Sequence, residues 1–231
     1  MPPALLRYRV SELLSEESFL RVGHGCAHHV AEQALAMGLD LDRCHRVLDF
    51  GCGCGRTLVW LLRAHPGVEF HGVDVDREAI EQCQKHLASA HFVACRHLPP
   101  LPHPDGHFDF IYCFSVLTHL DEAMQDLWLA ELRRVLKPDG LLLVTVHGRR
   151  TAHMLDAADQ MQLDAAGFLF KTSKKLKGIV PSWYQTAWHC RDYIVARLSK
   201  GFQEVRYIAI PDGAQDIVIG RKRSHGPGRE L

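Results

Sequence analysis

From residue 46 onward, short apolar runs alternate with segments whose apolar residues recur every three or four positions. Runs of the first kind predict buried strands, and segments of the second kind predict amphipathic helices. The predicted strands are residues 46–50, 68–75, 91–96, 108–116 and 141–148, and the predicted helices between them are 57–65, 76–90 and 124–136. Such strand–helix repeats predict a parallel sheet covered by helices on both faces.

This alternation stops after residue 148 and a different pattern closes the chain. Residues 202–210 and 215–222 are apolar runs joined across Pro211-Asp212-Gly213, which predicts an antiparallel strand pair. Residues 1–45 are predicted to be largely helical, most clearly over 15–20 and 27–39. The pattern as a whole predicts an α/β fold with a mostly parallel sheet.

Composition narrows the functional class. The 231 residues are enough for one domain with a substantial core. With 27 basic and 27 acidic residues the formal charge is zero, so we expect neither a nucleic acid nor an anionic membrane as partner. No apolar stretch approaches the ~20 residues of a membrane span, and MPPALLRYRV lacks the apolar core of a secretory signal. Eight cysteines, mostly within apolar runs, predict a reduced, cytoplasmic protein.

A metal site is not expected from the cysteines and histidines. Cys52 and Cys54 are one glycine apart, which is too close for an unstrained disulfide, and a metal bound there needs two further ligands. His24 and His28 would share a helical face, but no second pair stands at metal-ligand spacing. We therefore interpret the cysteines as packing residues and the histidines as ordinary polar residues, and we expect no bound metal.

The glycines of VLDFGCGCGR, residues 47–56, are the stronger signal. They lie between the first predicted strand and its helix, where a glycine-rich turn lets a ligand approach the backbone. Asp74 ends the second predicted strand, where an acid accepts hydrogen bonds from ribose hydroxyls. The combination predicts a bound nucleoside cofactor, and NAD and S-adenosylmethionine (SAM) both satisfy it.

Five stretches in order (VLDFGCGCGR, GVDVD, LPHPDGHFD, THLDEA and ELRRVLKPDGLLLVTV) resemble the successive motifs of class I SAM-dependent methyltransferases. The resemblance covers roughly residues 45–148 and selects SAM rather than NAD. It implies a Rossmann-like, doubly wound, seven-stranded sheet with a closing antiparallel pair. It also implies a single domain over 1–231, made of an N-terminal helical cap (1–45), a SAM-binding core (46–148), a substrate-side insertion (149–200) and closing strands (201–223).

The resemblance assigns cofactor-binding roles by position. Asp49 and the glycine loop would hold the methionine part of SAM, Asp74 the ribose, and the residues after the fourth strand would line the floor beside the sulfonium. The family's usual acid after the third strand is replaced here by Ala94-Cys95-Arg96-His97. The cofactor-binding residues implied are Asp49, Gly51, Cys52, Gly53, Gly55, Asp74, Val75, His97, Phe114 and Ser115.

In methyl transfer the main task of the protein is to position the two reactants. The nucleophile must lie about 3–3.5 Å from the methyl carbon, in line with the leaving sulfur. A general base is needed chiefly for a hydroxyl or a protonated amine. His119 and His147, after the fourth and fifth strands, are the candidates, with packing roles as the alternative for each. FSVL stands where an NPPY-like segment would be, which counts against methylation of exocyclic base or glutamine nitrogens.

The acceptor is expected to bind against residues 149–200. Trp183, Tyr184, His189 and Tyr193 could form an aromatic wall or pack on a helix face. Four lysines could attract an anionic substrate or form a solvated face: Lys171, Lys174, Lys175 and Lys177. We expect methylation of an oxygen or nitrogen of a small molecule. The alternatives are a methyltransferase acting on a glycan or protein, and a SAM-binding module without catalysis.

Overall fold

The computed structural model describes residues 1–11, 15–172, 185–211 and 213–224, and a seven-stranded sheet forms its centre. The strand order is β3-β2-β1-β4-β5-β9-β8, while β6 and β7 form a separate antiparallel pair. The strands are β1 (Arg46–Phe50), β2 (Glu69–Asp74), β3 (His91–Ala94), β4 (Phe108–Cys113), β5 (Leu136–Val146), β6 (Phe168–Lys171), β7 (Thr186–His189), β8 (Phe202–Ile208) and β9 (Asp216–Lys222). Strands β1 to β5 are parallel, and β9 pairs antiparallel with both β5 and β8. The predicted α/β class and the closing strand pair are confirmed.

The helices flank this sheet. They are α1 (Ala4–Ser11), α2 (Glu16–Ala36), α3 (Leu58–Ala64), α4 (Arg77–His86), α5 (Glu122–Val135), α6 (Ala157–Ala166) and α7 (Arg191–Ser199), with short 3₁₀ turns at Leu41–Arg43, Leu117–His119 and Arg149–Met154. Asp76 caps α4 by accepting a hydrogen bond from Ala79 N, as its position before the helix predicts. Within the described ranges, no helix is long and apolar enough to cross a membrane.

Each sheet face carries its own hydrophobic core, because successive strand residues point to opposite faces. One core joins Leu48, Val73 and Ile111 to helices α5 and α7. The other joins Val47 and Phe70 to helices α2, α3 and α4. The sheet is therefore buried on both sides, which explains why its strands are continuous apolar runs in the sequence.

Two boundaries and one element type differ most from the predictions. Strand β5 begins at Leu136, directly after α5, instead of at 141, because Leu136 already pairs with Phe108 of β4. Helix α4 ends at His86, four residues earlier than the pattern indicates. The segment around His189 is not one helix but strand β7 followed by α7, since β7 gains a partner in β6.

Candidate cofactor and acceptor site

The glycine loop follows the carboxyl end of β1, the strand that lies between β2 and β4. The order of the parallel strands reverses at this point, and such a crevice is where open α/β sheets bind ligands. Gly51, Gly53 and Gly55 have φ values of +80°, +52° and +77°. These left-handed conformations favour glycine and fold the loop into a tight turn. The amides of Gly51 and Cys52 both donate to Val73 O, at 2.8 and 3.0 Å, and so tie the loop to β2.

Helix α1 packs directly on this loop. A Cβ on Gly53 would lie 2.4 Å from Val10 Cγ1, and one on Gly51 would lie 2.2 Å from Val116 Cγ2. The missing side chain of Gly53 therefore makes room for α1, a packing role that the sequence did not reveal. Arg9 holds α1 in place through a salt bridge of 2.7 Å to Asp76 at the start of α4.

Asp74 closes the loop from the end of β2. Its Oδ2 accepts a hydrogen bond of 2.7 Å from Gly53 N, and its Oδ1 accepts one of 2.8 Å from Asp76 N. A carboxylate oxygen has two lone pairs, so each oxygen retains capacity for one ribose hydroxyl. Asp74 as a residue is half-buried, and the neighbouring Val75 is 44% exposed. This pair combines an acceptor with an apolar surface at the position predicted for the nucleoside.

Asp49 supplies the charge of the site. It is buried at the end of β1, and burial raises the pKa of its carboxyl to about 7, against smaller lowering effects of the nearby Tyr112 hydroxyl and the Arg56 charge. The charge of Asp74 raises that pKa further. Few groups of the protein offset the cost of burying the charge of Asp49. Its carboxyl therefore fits a cationic ligand group, since an opposite charge in contact favours the ionised form. The residues present thus fit the ammonium of a bound amino acid moiety.

Ser115, after β4, is fixed in a left-handed backbone conformation with φ +59°. Ser115 N donates to Thr145 Oγ1 at 2.9 Å, and Gln215 Nε2 donates to Ser115 Oγ at 2.7 Å. Thr145 Oγ1 donates in turn to Gln215 Oε1 at 2.5 Å. We call these three residues the Ser115 network. Sparsely populated backbone conformations cluster at functional sites when the surroundings hold them, as the network does here. Both partners of Ser115 were missed in the sequence: Thr145 lies inside a quoted motif but was given no role, and Gln215 lies in no motif.

The two candidate bases are both tied to the segment that begins at Gln185. His119 Nδ1 lies 2.7 Å from Gln185 O, and Gln185 N donates back to His119 O at 3.0 Å. His147 Nδ1 lies 3.2 Å from Ala187 O in β7. Burial lowers the pKa of His119, so its ring is neutral at pH 7, with Nδ1 as the donor and Nε2 as the acceptor.

The predicted acceptor wall is only partly described. Trp183, Tyr184 and three of the lysines (174, 175 and 177) lie outside the described residues. His189 has no exposed surface, and its Nε2 lies 3.1 Å from Gln125 Oε1. The Tyr193 hydroxyl contacts Glu122, and Lys171 contacts Asp159. His189 is therefore a packing residue in this conformation, because a side chain without exposed surface cannot touch an acceptor.

The remaining predicted residues have simpler surroundings. Cys52 and Cys54 are free, buried thiols, and burial raises the pKa of Cys54 to about 12. Phe114 is half-buried, with its ring 6.3 Å from that of Tyr112. His97 is exposed, and its carbonyl accepts a hydrogen bond of 3.2 Å from Trp128 Nε1. Of these, the cofactor-binding roles of Cys52, Phe114 and His97 stay predictions.

Comparison with known proteins finds a family match over the residues that form the core of the site. Residues 47–140 match the family described as a methyltransferase domain. Methyltransferase GfsG of Streptomyces halstedii is 31% identical over 114 residues, 46% of this chain and 39% of that protein. The chain spans about two fifths of the length of the first curated relatives that it matches.

Solved structures share the fold over most of the chain. The PH0226 protein of Pyrococcus horikoshii superposes with a TM-score of 0.63 over 94% of this chain and 98% of its own, at 17% identity. The 1,6-didemethyltoxoflavin-N1-methyltransferase of Burkholderia thailandensis, with bound 1,6-didemethyltoxoflavin and S-adenosylhomocysteine, gives a TM-score of 0.61 over 90% of this chain and 80% of its own, at 18% identity. These superpositions establish that the fold is shared.

Proposed function

We propose that this protein transfers a methyl group from SAM to an oxygen or nitrogen of a small molecule, a proposal supported by the match of residues 47–140 to a methyltransferase domain. The observation that carries the proposal is the set of groups around the glycine loop. Asp49 offers a buried carboxyl for an ammonium, and Asp74 offers spare acceptor capacity for ribose hydroxyls. Both lie at the crevice where the strand order reverses.

When bound, SAM supplies a methyl group already activated by a sulfonium. The protein then has to bind the two reactants, orient them and exclude water. Asp49 binds the ammonium, Asp74 binds the ribose, and the Ser115 network keeps the floor of the site rigid. His119 is the proposed general base, since its neutral ring can accept the proton that an acceptor hydroxyl or amine loses.

A small acceptor is favoured by what covers the site. Helix α1 lies against the glycine loop through Val10, and residues from Gln185 onward contact His119 and His147 on the other side. Cover by these two separate segments, helix α1 and the residues from Gln185 onward, favours an enclosed site over an open groove. The fold is shared with the enzyme acting on 1,6-didemethyltoxoflavin, a small heterocycle, which supports the same assignment.

A product assay tests the proposal. The purified chain is incubated with SAM and a panel of small phenols, alcohols, carboxylates and amines, and the formation of S-adenosylhomocysteine is measured. We expect turnover with at least one small acceptor, and lower turnover in Asp49→Asn when SAM is not saturating. Turnover only with proteins or glycans would overturn the small-molecule assignment. Binding of SAM without turnover of any acceptor class would indicate a module without catalysis.

A further inference from the structure

Histidines that are far apart in the sequence meet at the edge of the sheet opposite to the cofactor site. His71 lies in β2, and His103 and His107 lie in the loop that leads into β4. One ring nitrogen of each lies within 4.8 Å of the others. We call these three residues the histidine triad. Sequence spacing could not reveal it, because the loop before β4 reaches β2 only through the folded chain.

The rings of the triad lie close together. The His71 ring is perpendicular to both other rings, with centroids 5.4 Å from His103 and 5.6 Å from His107. The rings of His103 and His107 stack at 5.6 Å. In the described part of the chain, His103 Nε2 is buried without a hydrogen-bond partner. An unsatisfied buried polar atom is costly, and a bound ion is one of the few groups that would satisfy it.

The groups around the triad resemble an outer coordination shell. Glu69 Oε1 lies 2.8 Å from His71 Nε2, and carboxylate–histidine pairs of this kind orient metal-binding rings. Arg134 fixes the loop by donating to His103 O at 2.9 Å. The positive charge of Arg134 is itself balanced by two carboxylates, Asp105 and Glu131, both at 2.6 Å.

The other nearby cations are also paired. Arg46 lies 3.2 Å from Glu69, and Lys137 lies 2.7 Å from Asp109. No positive charge described around the triad is therefore left without a carboxylate to offset it. A bound cation would consequently meet little net repulsion.

We propose that His71, His103 and His107 bind one divalent ion of the zinc class and thereby fasten the loop before β4 to the edge of the sheet. Imidazole nitrogens select zinc, copper, nickel or ferrous iron, whereas magnesium and calcium prefer oxygen ligands. Nitrogens bound to a tetrahedral zinc stand about 3.3 Å apart. Ion binding would therefore draw together the nitrogens that now lie within 4.8 Å, and it would turn the stacked rings of His103 and His107 out of their parallel arrangement. The site lies away from the cofactor and has a structural role.

A second set of ligands shares His71 and competes with this assignment. Glu69, His71 and His91 also lie within 4.8 Å of one another. The side chain of His91 is 66% exposed, so it needs no partner other than water. The buried Nε2 of His103 favours the triad, and a His91 variant separates the two sets.

Metal titration of the full chain tests the proposal. The protein is stripped with a chelator, and Zn²⁺ binding is measured by competition with a chromophoric chelator. We expect one Zn²⁺ ion to bind tightly per chain, with the affinity for Zn²⁺ falling about a hundredfold or more in His103→Ala and in His107→Ala. Co²⁺ should give the intense visible bands of a tetrahedral site in the wild type and not in those variants. Zn²⁺ should also raise the melting temperature of the wild type but not of His107→Ala, which serves if His103→Ala does not fold.

Two control variants decide against surface binding. His91→Gln and the double variant His24→Ala/His28→Ala should keep the wild-type affinity for Zn²⁺. Loss of the tight equivalent in His91→Gln would overturn the triad in favour of Glu69, His71 and His91. Loss in the double variant would place the ion on α2, and wild-type affinity in His103→Ala/His107→Ala would refute the proposal outright. SAM binding should be unchanged in all of these variants, so the result is independent of the proposed methyl transfer.

Discussion

The buried carboxyl of Asp49 predicts how cofactor binding depends on pH. Its pKa in the free protein is raised to about 7, mainly by burial. An ammonium in contact lowers the pKa of a carboxyl by about 1–3 units, so the pKa of Asp49 falls when the ligand binds. Binding therefore favours the ionised carboxylate, and the affinity should decrease as pH falls through 7. With these values, the dissociation constant of SAM rises about 6- to 25-fold between pH 7.5 and pH 5.5.

Asp49→Asn is the matched perturbation, since it keeps the shape and removes the charge. Its dissociation constant should be about 10- to 150-fold higher at pH 7.5, from the loss of about 1.5–3 kcal/mol in a charged hydrogen bond. The same constant should change less than about twofold between pH 7.5 and pH 5.5, because no carboxyl remains to be protonated at this position. Titration calorimetry with S-adenosylhomocysteine, which keeps the amino acid moiety, measures both quantities. Adenosine, which lacks that moiety, should bind the wild type with no such pH dependence.

Stability provides the control for this variant. The folded-state pKa of Asp49 lies above its ordinary value of 3.8, so folding favours the protonated form. Ionisation then lowers the stability of the wild type as pH rises from about 4 to 7, and the loss is complete above that range. Asp49→Asn removes the loss, so its melting temperature at pH 8 should be equal or higher. A wild type with pH-independent affinity, or a variant with the same pH profile, would refute the assignment of the ammonium to Asp49.

Four further substitutions separate binding, packing and catalysis. Asp74→Ala should weaken SAM binding about 10- to 150-fold through lost hydrogen bonds, and unchanged affinity in calorimetry would contradict its ribose role. Cys54→Ala should leave the affinity within about tenfold, and loss of a stoichiometric metal with it would contradict the packing role. Gly53→Val should lower the melting temperature strongly, because the new side chain would clash with Val10 and because residue 53 has a φ of +52°, which favours glycine. A melting curve like that of the wild type would be evidence against this contact. His119→Ala should reduce kcat about 10²- to 10⁴-fold with SAM affinity unchanged, whereas a fall in melting temperature with normal kcat would indicate packing.

The sheet could be predicted because its information is local. Strands β1, β2 and β4 are buried along most of their length, and the five parallel strands were predicted from short apolar runs such as 46–50 and 108–113. The glycine-rich turn after β1 was equally accessible, whereas its cofactor-binding role stays a prediction. Asp49 and the glycine loop are adjacent in the chain, and their conformations depend mainly on the residues themselves.

What could not be predicted depends on contacts between distant residues. Gln215 reaches Ser115 only because β9 inserts beside β5, and the histidine triad forms only after the sheet has assembled. Strand β7 has four residues, too few to show a periodicity, and it is extended because β6 pairs with it. The burial of His189 follows from that pairing, so the sequence alone left its role open.

The Ser115 network also has a consequence for the order of events during synthesis. Gln215 precedes β9, the second of the two closing strands, yet it holds the turn after β4 that was made 100 residues earlier. A nascent chain can pair β1, β2, β3 and β4 and form the glycine loop well before this glutamine emerges from the ribosome. Its Ser115 turn then lacks one of the two hydrogen bonds that fix it, the one from Gln215 Nε2 to Ser115 Oγ. The site therefore gains its final rigidity only after β9 docks beside β5, so tight cofactor binding by a nascent chain should appear abruptly and late in translation.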